Sequence, residues 1–457
     1  MLFSGLTFLY YFLPAVLTLY FLAPKGWKNG VLLVCSLLFY AWGEPRLVLL
    51  MAATILVFYL CGLAIGRTEN RRAQKLWLTV SVAIGLGLLG IFKYADFFIG
   101  SFNAVTGLSL PLLRLTLPIG ISFYTFQCIS YTVDIYRGQA AAQRSLISFA
   151  CYVALFPQLI AGPIVRYTQV ARELEHRTHS VTDFTLGLRR FLFGLGKKVL
   201  LANQFGELTE LYRASEEKSV LFCWLYAAAF LLHIYFDFSG YSDMAIGLGR
   251  MFGFRFPENF DYPYLSRSIT EFWRHWHMTL CGWFRDYVYI PLGGNRVSRP
   301  RWFLNILTVW MLTGLWHGAS WNFVLWGLLF ALFLLLEKGV PGLTRLPGAL
   351  AHGYVLLVVM LSFVLFNAQS LRQAAEDLGG MFGLAGLPAV TAESLYQLRS
   401  FGVLFLLGIL GATPWPKRWG ERLQAPWLDA LVMLGLLLLC TAYLVDGSFN
   451  PFLYFRF

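Results

Sequence analysis

Uncharged apolar stretches of bilayer length are the feature that most restricts what this chain can fold into. They recur from one end of the sequence to the other, at 1–24, 47–66, 76–92, 219–236 and 430–445. About 20 apolar residues in an α-helix cross the hydrocarbon core of a bilayer. Within that core only helices and closed barrels satisfy their own backbone hydrogen bonds. The sequence therefore predicts an all-α polytopic membrane protein.

Composition and charge agree with a membrane location. Charged residues make up 13% of the chain, against roughly 25% in soluble domains. The net charge of +12 is explained by Lys and Arg that hold loops in the cytoplasm, since no basic stretch is long or free of acidic residues. The loop 67–75, RTENRRAQK, is the clearest cytoplasmic signal and places the N-terminus outside. We expect no nucleic-acid partner, and we interpret the seven cysteines as small buried hydrophobes.

Three polar segments interrupt the apolar pattern. The stretch 117–138 is rich in Gly and aromatic residues, and 156–166 contains Pro157 and Pro163, which break a straight helix. Irregular or polar backbone at membrane depth must be buried in protein or line a cavity. Residues 166–190 mix arginines with acidic residues and predict a cytoplasmic, interfacial helical segment, although a solvated loop is an equal alternative.

Two histidines stand out in the central part of the chain. His317 lies within 302–336, which contains no Asp, Glu, Lys or Arg, and His277 follows Trp273 and Trp276. An ionisable side chain at membrane depth is by default a functional-site hypothesis. A neutral imidazole in a water-poor site can act as a general base. The alternative for His317 is a buried histidine bonded to a neighbouring carbonyl.

The spacing of the neighbouring residues does not favour a metal site. His275 and His277 are two residues apart and would point in different directions on a helix. Glu271 precedes His275 by four residues, but that couple would face away from His277. We therefore expect no metal. Cys281, four residues after His277, is interpreted as a packing residue.

A second group of charges borders the apolar segments. It comprises Asp237, Asp243, Arg285, Asp286 and Arg296. Acidic side chains in such places are expected to be paired, so structural ion pairs are favoured over catalysis. The segment IPLGGNR, 290–296, is Gly-rich and ends in a cation that could cradle a phosphate, but it lacks the spacing of a P-loop.

Several long motifs, in order, resemble the membrane-bound O-acyltransferase (MBOAT) family, and within it the bacterial alginate O-acetylase-like branch. They are YFDFSGYSDMAIGLG, ENFDYPYLSRSITEFWRHWH, WFRDYVYIPLGGNR and LTGLWHGASWNFVLWG, with LPIGISFYTFQ, YTVDIYRG and FPQLIAGPIVR upstream and the ending NPFLYFRF. The resemblance covers most of the chain and is weakest over 373–422. One departure is His275, where the family pattern leads us to expect Arg; it would make the local network pH-sensitive.

The resemblance implies an MBOAT-type bundle of about 11–12 transmembrane helices, with re-entrant and interfacial helices around a central tunnel. It implies a single domain, 1–457, with N-terminal helices over 1–110, a catalytic core over 111–370 and C-terminal helices over 371–457. His317 matches the catalytic histidine of the family and His277 lies on the same tunnel. Further expected substrate or tunnel-lining residues are Trp276, Trp316, Asn322, Asp237, Ser239, Tyr241, Arg285, Asn295 and Arg296.

The resemblance also implies a function. Acetyl-CoA would donate an acetyl group from the cytoplasm, with no permanently bound cofactor, and the group would cross the bacterial inner membrane for O-acetylation of an alginate-like extracytoplasmic polysaccharide. His317 would be the general base and His277 would orient or polarise the carbonyl. A periplasmic SGNH-type acetyltransferase and other polysaccharide-biosynthesis proteins would be partners. The alternatives are D-alanyl transfer from a carrier-protein thioester to teichoic acid, and a non-enzymatic transporter, for which inverted repeats are missing.

Overall fold

The structure is a computed structural model, and it describes residues 2–423, 425–447, 450 and 453. The described residues form helices and the loops between them, with no β-strand among them, as the sequence predicts. Of the ending NPFLYFRF, only Asn450 and Leu453 belong to the described residues; the remainder of that motif lies outside them.

Twenty-two α-helices follow one another along the described part of the chain. The first eleven are α1 Leu13–Leu22, α2 Lys28–Gly43, α3 Val48–Arg67, α4 Arg71–Leu89, α5 Ala95–Thr106, α6 Ile121–Tyr136, α7 Leu146–Ala154, α8 Phe156–Leu159, α9 Tyr167–Glu175, α10 Val181–Gly196 and α11 Asn203–Ala214. The others are α12 Val220–Met251, α13 Ile269–His275, α14 Met278–Phe284, α15 Arg299–His317, α16 Trp321–Gly339, α17 Pro341–Thr344, α18 Gly348–Asn367, α19 Leu371–Met381, α20 Ala392–Gly411, α21 Trp415–Leu423 and α22 Pro426–Asp446.

Among the described residues, seven helical segments are long and apolar enough to cross a membrane, and the chain is a multi-pass membrane protein. They are α3, the continuous segment Arg71–Thr106 that contains α4 and α5, α12, α16, α18, α20 and α22. A one-turn π-helix, Gly90–Tyr94, joins α4 to α5. Several of these helices expose most of their surface; α22, for example, has only Cys440 buried. An apolar surface of this kind suits contact with lipid.

The chain divides into two compact units. One unit comprises Met1–Phe191 and Tyr241–Pro257, and the other comprises Leu192–Gly240 and Glu258–Phe457. The single domain predicted over 1–457, with its three parts, stays a prediction.

In the first unit, the polar segments behave as the sequence predicts. Almost every residue of α6 is buried, so its polar side chains lie inside protein. Helix α7 ends at Ala154, α8 covers a single turn, and residues 160–166 are not helical. The prolines at 157 and 163 account for this break because proline lacks the donor that a continuous helix needs. Residues 166–190 carry α9 and the start of α10, which confirms the predicted helical segment.

In the second unit, an aromatic core holds the helices together. Phe272, Trp273, Trp276, Trp326 and Phe330 are among its buried members. Trp273 meets Phe330 edge to face, with ring centroids 4.9 Å apart and planes at 90°. Edge-to-face contacts contribute about 0.5–1.5 kcal/mol beyond the burial of area. This core therefore fixes α13 against α16, on either side of the candidate site.

Candidate active site

His317 is the last residue of α15, at the tip of a helical hairpin formed by α15 and α16. The uncharged stretch 302–336 is thus two helices joined by Gly318–Ser320. A Cβ at Gly314 would lie 2.2 Å from the carbonyl oxygen of Phe323, and one at Gly327 would lie 2.2 Å from that of Trp310. Only glycine allows the backbones to approach this closely. The glycines therefore set the position of the hairpin tip and of His317.

His277 lies between two short helices. Helix α13 ends at His275, and His277 precedes α14 with φ 44° and ψ 50°, in the left-handed region. His275 and His277 therefore do not lie on one helix. A non-glycine residue in this region costs of order 1–3 kcal/mol and persists only where the surrounding structure enforces it. The strain turns the His277 side chain inward, where it is fully buried.

The two histidines come together, as the sequence analysis expected. Their ring centroids are 6.5 Å apart and their planes are inclined at 63°. Trp316 contacts both, with its ring centroid 5.6 Å from that of His277 and 4.9 Å from that of His317. Both imidazoles are 5% exposed or less. Two side chains 40 positions apart in the chain thus form one buried pair.

Aromatic rings enclose the pair and keep bulk water away. Phe238 meets the His277 ring edge to face at 4.6 Å, and Phe260 stacks over it at 6.4 Å. Trp326 and Phe366 meet the His317 ring at 5.1 Å and 5.3 Å. In such a water-poor place, hydrogen bonds and charges act more strongly than in solvent. The arrangement suits a pair of neutral imidazoles that accept, donate or relay a proton.

Asn259 is a polar partner of His277 and was not among the residues expected from the sequence. Its side-chain oxygen Oδ1 lies 3.1 Å from His277 Nδ1 and also accepts hydrogen bonds from the backbone N–H and the hydroxyl of Thr279. Asn259 is completely buried and precedes His277 by 18 residues, with α13 between them. No helical or strand periodicity relates residues at that separation, and an amide between Glu258 and Phe260 carries no distinctive local signal.

Two expected site residues serve mainly to position others. Trp276 turns into the aromatic core, where it packs on Phe260, Phe272 and Phe363. Asn322 donates from Nδ2 to the carbonyl oxygen of Ala368 at 2.8 Å, which ties the hairpin tip to the end of α18.

The three expected residues on α12 have different surroundings. Asp237 forms a buried ion pair with Lys198, with Nζ and Oδ1 2.5 Å apart, and its Oδ2 accepts from the backbone N–H of Leu453 at 3.0 Å. Ser239 is buried, and its hydroxyl has no hydrogen-bond partner among the described residues. Tyr241 belongs to the first unit, where it stacks on Phe3 with ring centroids 4.7 Å apart.

The predicted ion pairs are present. Besides Asp237, Asp243 pairs with Arg190 at 2.9 Å, and Asp286 pairs with Arg285 at 2.8 Å. These contacts confirm the structural interpretation of the acidic residues.

Three of the expected substrate or tunnel-lining residues lie on an exposed segment. Arg285 is 68% exposed at its side chain, and Asn295 and Arg296 are also exposed. Asn295 accepts from the Tyr289 hydroxyl at 2.5 Å. This setting differs from the buried histidine pair and fits a solvent-facing role.

Two neighbours of His277 are accounted for by local contacts. His275 lies 3.3 Å from Asp261, and both are substantially exposed. The thiol of Cys281 is directed at the carbonyl oxygen of Trp276, at 3.6 Å, and Cys281 packs against the aromatic core. The packing role expected for Cys281 is confirmed.

The part of the chain that contains this site is similar to known proteins. The family model of the membrane-bound O-acyltransferases matches residues 108–372, a segment that contains both histidines. A probable alginate O-acetylase of Pseudomonas putida is 40% identical over the full length of both chains. A peptidoglycan O-acetyltransferase of Helicobacter pylori is 33% identical over 85% of this chain and 81% of its own. A teichoic acid D-alanyltransferase of Bacillus subtilis is 26% identical over 54% of this chain and 67% of its own.

Proposed function

This chain belongs to the membrane-bound O-acyltransferase family, and we propose that it transfers acetyl groups from cytoplasmic acetyl-CoA for O-acetylation of an extracytoplasmic polysaccharide. That it is an O-acyltransferase follows from the family. The acetyl group and the polysaccharide are supported by its full-length similarity to a probable alginate O-acetylase, together with a peptidoglycan O-acetyltransferase among its relatives. We place the protein in the bacterial inner membrane, where the donor is accessible from the cytoplasm.

The observation that carries the proposal is the buried pair of His277 and His317. His317 serves as general base: its imidazole takes the proton of an acceptor hydroxyl while the hydroxyl oxygen attacks the thioester carbonyl. The tetrahedral intermediate then expels the CoA thiolate, which takes the proton from His317 and leaves as the free thiol. His277 orients the reacting groups. General acid–base catalysis of this kind contributes about 10²–10⁴-fold.

The acceptor hydroxyl belongs to a periplasmic partner, an SGNH-type acetyltransferase that passes the acetyl group to the polymer. The phosphates of acetyl-CoA bind the exposed basic segment that includes Arg285 and Arg296. A highly charged ligand bound there stays in contact with solvent.

Purified protein in detergent, incubated with radiolabelled acetyl-CoA, tests the proposal, with water in place of the partner's hydroxyl as the acetyl acceptor. We expect thioester turnover by the wild type and its loss in His317→Ala, with both proteins eluting as the same folded species from a sizing column. Turnover retained in that variant would show that His317 is a packing residue and not the general base. If the wild type turns over a D-alanyl carrier-protein thioester but not acetyl-CoA, the D-alanyl alternative replaces the proposed donor.

A further inference from the structure

Asn259 clamps the strained segment that carries His277. Its backbone carbonyl accepts from the N–H of Met278 at 3.0 Å. Its side-chain Oδ1 accepts from Thr279 twice, from the hydroxyl at 2.8 Å and from the backbone N–H at 3.3 Å. Oδ1 also lies 3.1 Å from His277 Nδ1. One buried residue thus contacts three consecutive residues at the start of α14, two through its side-chain amide and one through its backbone carbonyl.

These contacts determine which imidazole nitrogen of His277 carries the proton. A backbone N–H can only donate, so the Asn259 atom that it meets must be the amide oxygen and not the amide nitrogen. An amide oxygen can only accept, so His277 Nδ1 must be the protonated nitrogen. A neutral imidazole has one N–H, and Nε2 therefore keeps its lone pair. Among the described residues, Nε2 is buried and has no hydrogen-bond partner.

We propose that Asn259 is a positioning residue that fixes the Nδ1–H tautomer of His277, so that His277 enters the acyl transfer as a hydrogen-bond acceptor at Nε2. The inference rests on the proposed function and refines it. A neutral His277 held in this way orients the acceptor hydroxyl by receiving its hydrogen bond; it does not polarise the thioester carbonyl by donating one. Proton removal then falls to His317.

The proposed role of Asn259 requires that its side chain carry no charge. An aspartate has nearly the same shape and could accept the same hydrogen bonds, but its negative charge would favour the imidazolium form of His277. An imidazolium has no lone pair at Nε2 and could not accept. The amide therefore gives the geometry of a carboxylate–histidine pair without stabilising the charged ring.

The other titratable groups around His277 do not supply a negative charge that would favour its imidazolium form. His317 approaches it from α15. The carboxylate of Asp237, behind Phe238 on α12, is paired with Lys198. On the loop before α13, Asp261 is directed at His275.

The test compares the pH dependence of acetyl-CoA turnover in Asn259→Asp and Thr279→Val. In Asn259→Asp, we expect the pH at which activity rises to move upward by about 1–3 pH units, the usual effect of an adjacent opposite charge. Thr279→Val loses the hydroxyl contact to the same oxygen but keeps the bond to His277, so the pH midpoint should stay in place. If the midpoint of Asn259→Asp also stays in place, turnover does not need a neutral His277, and that result would overturn the proposal.

A second measurement does not depend on activity. The protein has seven histidines, and ¹⁵N labelling of their rings, with His277→Gln to assign the signals, reports the protonation of each nitrogen. At neutral pH we expect His277 to show a protonated Nδ1 and an unprotonated Nε2. A protonated Nε2 would refute the tautomer even if turnover is normal. A wild type without turnover would refute the proposed function, while these spectra would still decide the role of Asn259.

Discussion

His277 and His317 lie with ring centroids 6.5 Å apart, and the Trp316 ring contacts both. Residues that act as one unit have non-additive effects on catalysis. We expect His317→Gln to lower kcat about 10²–10⁴-fold, and His277→Gln combined with it to add little. Radiolabelled acetyl-CoA turnover measures both. His352→Gln, on α18, is the matched control and should keep normal turnover; a fully additive double variant would contradict joint action.

The contact between Gly314 and Phe323 predicts a strong steric effect. In Gly314→Ala, the new methyl would lie 2.2 Å from a backbone oxygen, so α15 and α16 must move apart. We expect a loss of about 1–3 kcal/mol in stability, typical of overpacking, together with a lower kcat because His317 is displaced. Thermal unfolding in one detergent measures the stability. The control, Gly353→Ala, meets open space within its helix and should be neutral or stabilising by at most about 1 kcal/mol.

The buried ion pair of Lys198 and Asp237 predicts a large loss of stability when one partner alone is neutralised. In Asp237→Asn, the Lys198 ammonium stays buried without its counter-charge, which typically costs about 3–5 kcal/mol. Glu376→Gln breaks the exposed pair with Arg372 and should cost about 0–1 kcal/mol. Replacement of both buried partners by apolar residues should recover most of the loss. Equal unfolding temperatures for the two single variants would contradict this account.

His179, in the loop between α9 and α10, predicts a dependence of stability on pH. Burial, then the charges of Lys28 and Arg177, hold the pKa of His179 below its ordinary value of 6.5. The unfolded chain therefore binds this proton more readily, and stability falls as the pH drops through and below about 6.5. Unfolding temperatures at pH 5.5 and 7.5 should differ less in His179→Asn than in the wild type. An unchanged difference would exclude this histidine as a source of the dependence.

Cations near the tyrosine that His179 contacts disfavour a second proton on the His179 ring. The Tyr20 hydroxyl donates to the carbonyl oxygen of Phe252 at 2.7 Å, so it must accept from His179 Nε2, 2.9 Å away. Lys28 lies 4.5 Å from the centre of the Tyr20 ring. A second proton on His179 would thus add a charge beside cations that already crowd this ring.

The fold class was predictable because each membrane helix carries its own signal. Apolar length, Pro157 and Pro163, and the charges of the loop 67–75 are local properties, and the helices, the break at 160–166 and the multi-pass class follow from them. His317 likewise stood out in the sequence as a candidate, since an imidazole within an uncharged stretch needs an explanation.

The sequence by itself determined the helical, membrane-spanning class and identified both histidines as candidates. The tertiary structure alone decided that they form one pair, that His277 has a left-handed backbone, and that Asn259 is its polar partner. It also placed Arg285 and Arg296 on an exposed segment. The physical reason is that hydropathy acts residue by residue along the chain, whereas a hydrogen bond or ring contact depends on where distant segments meet.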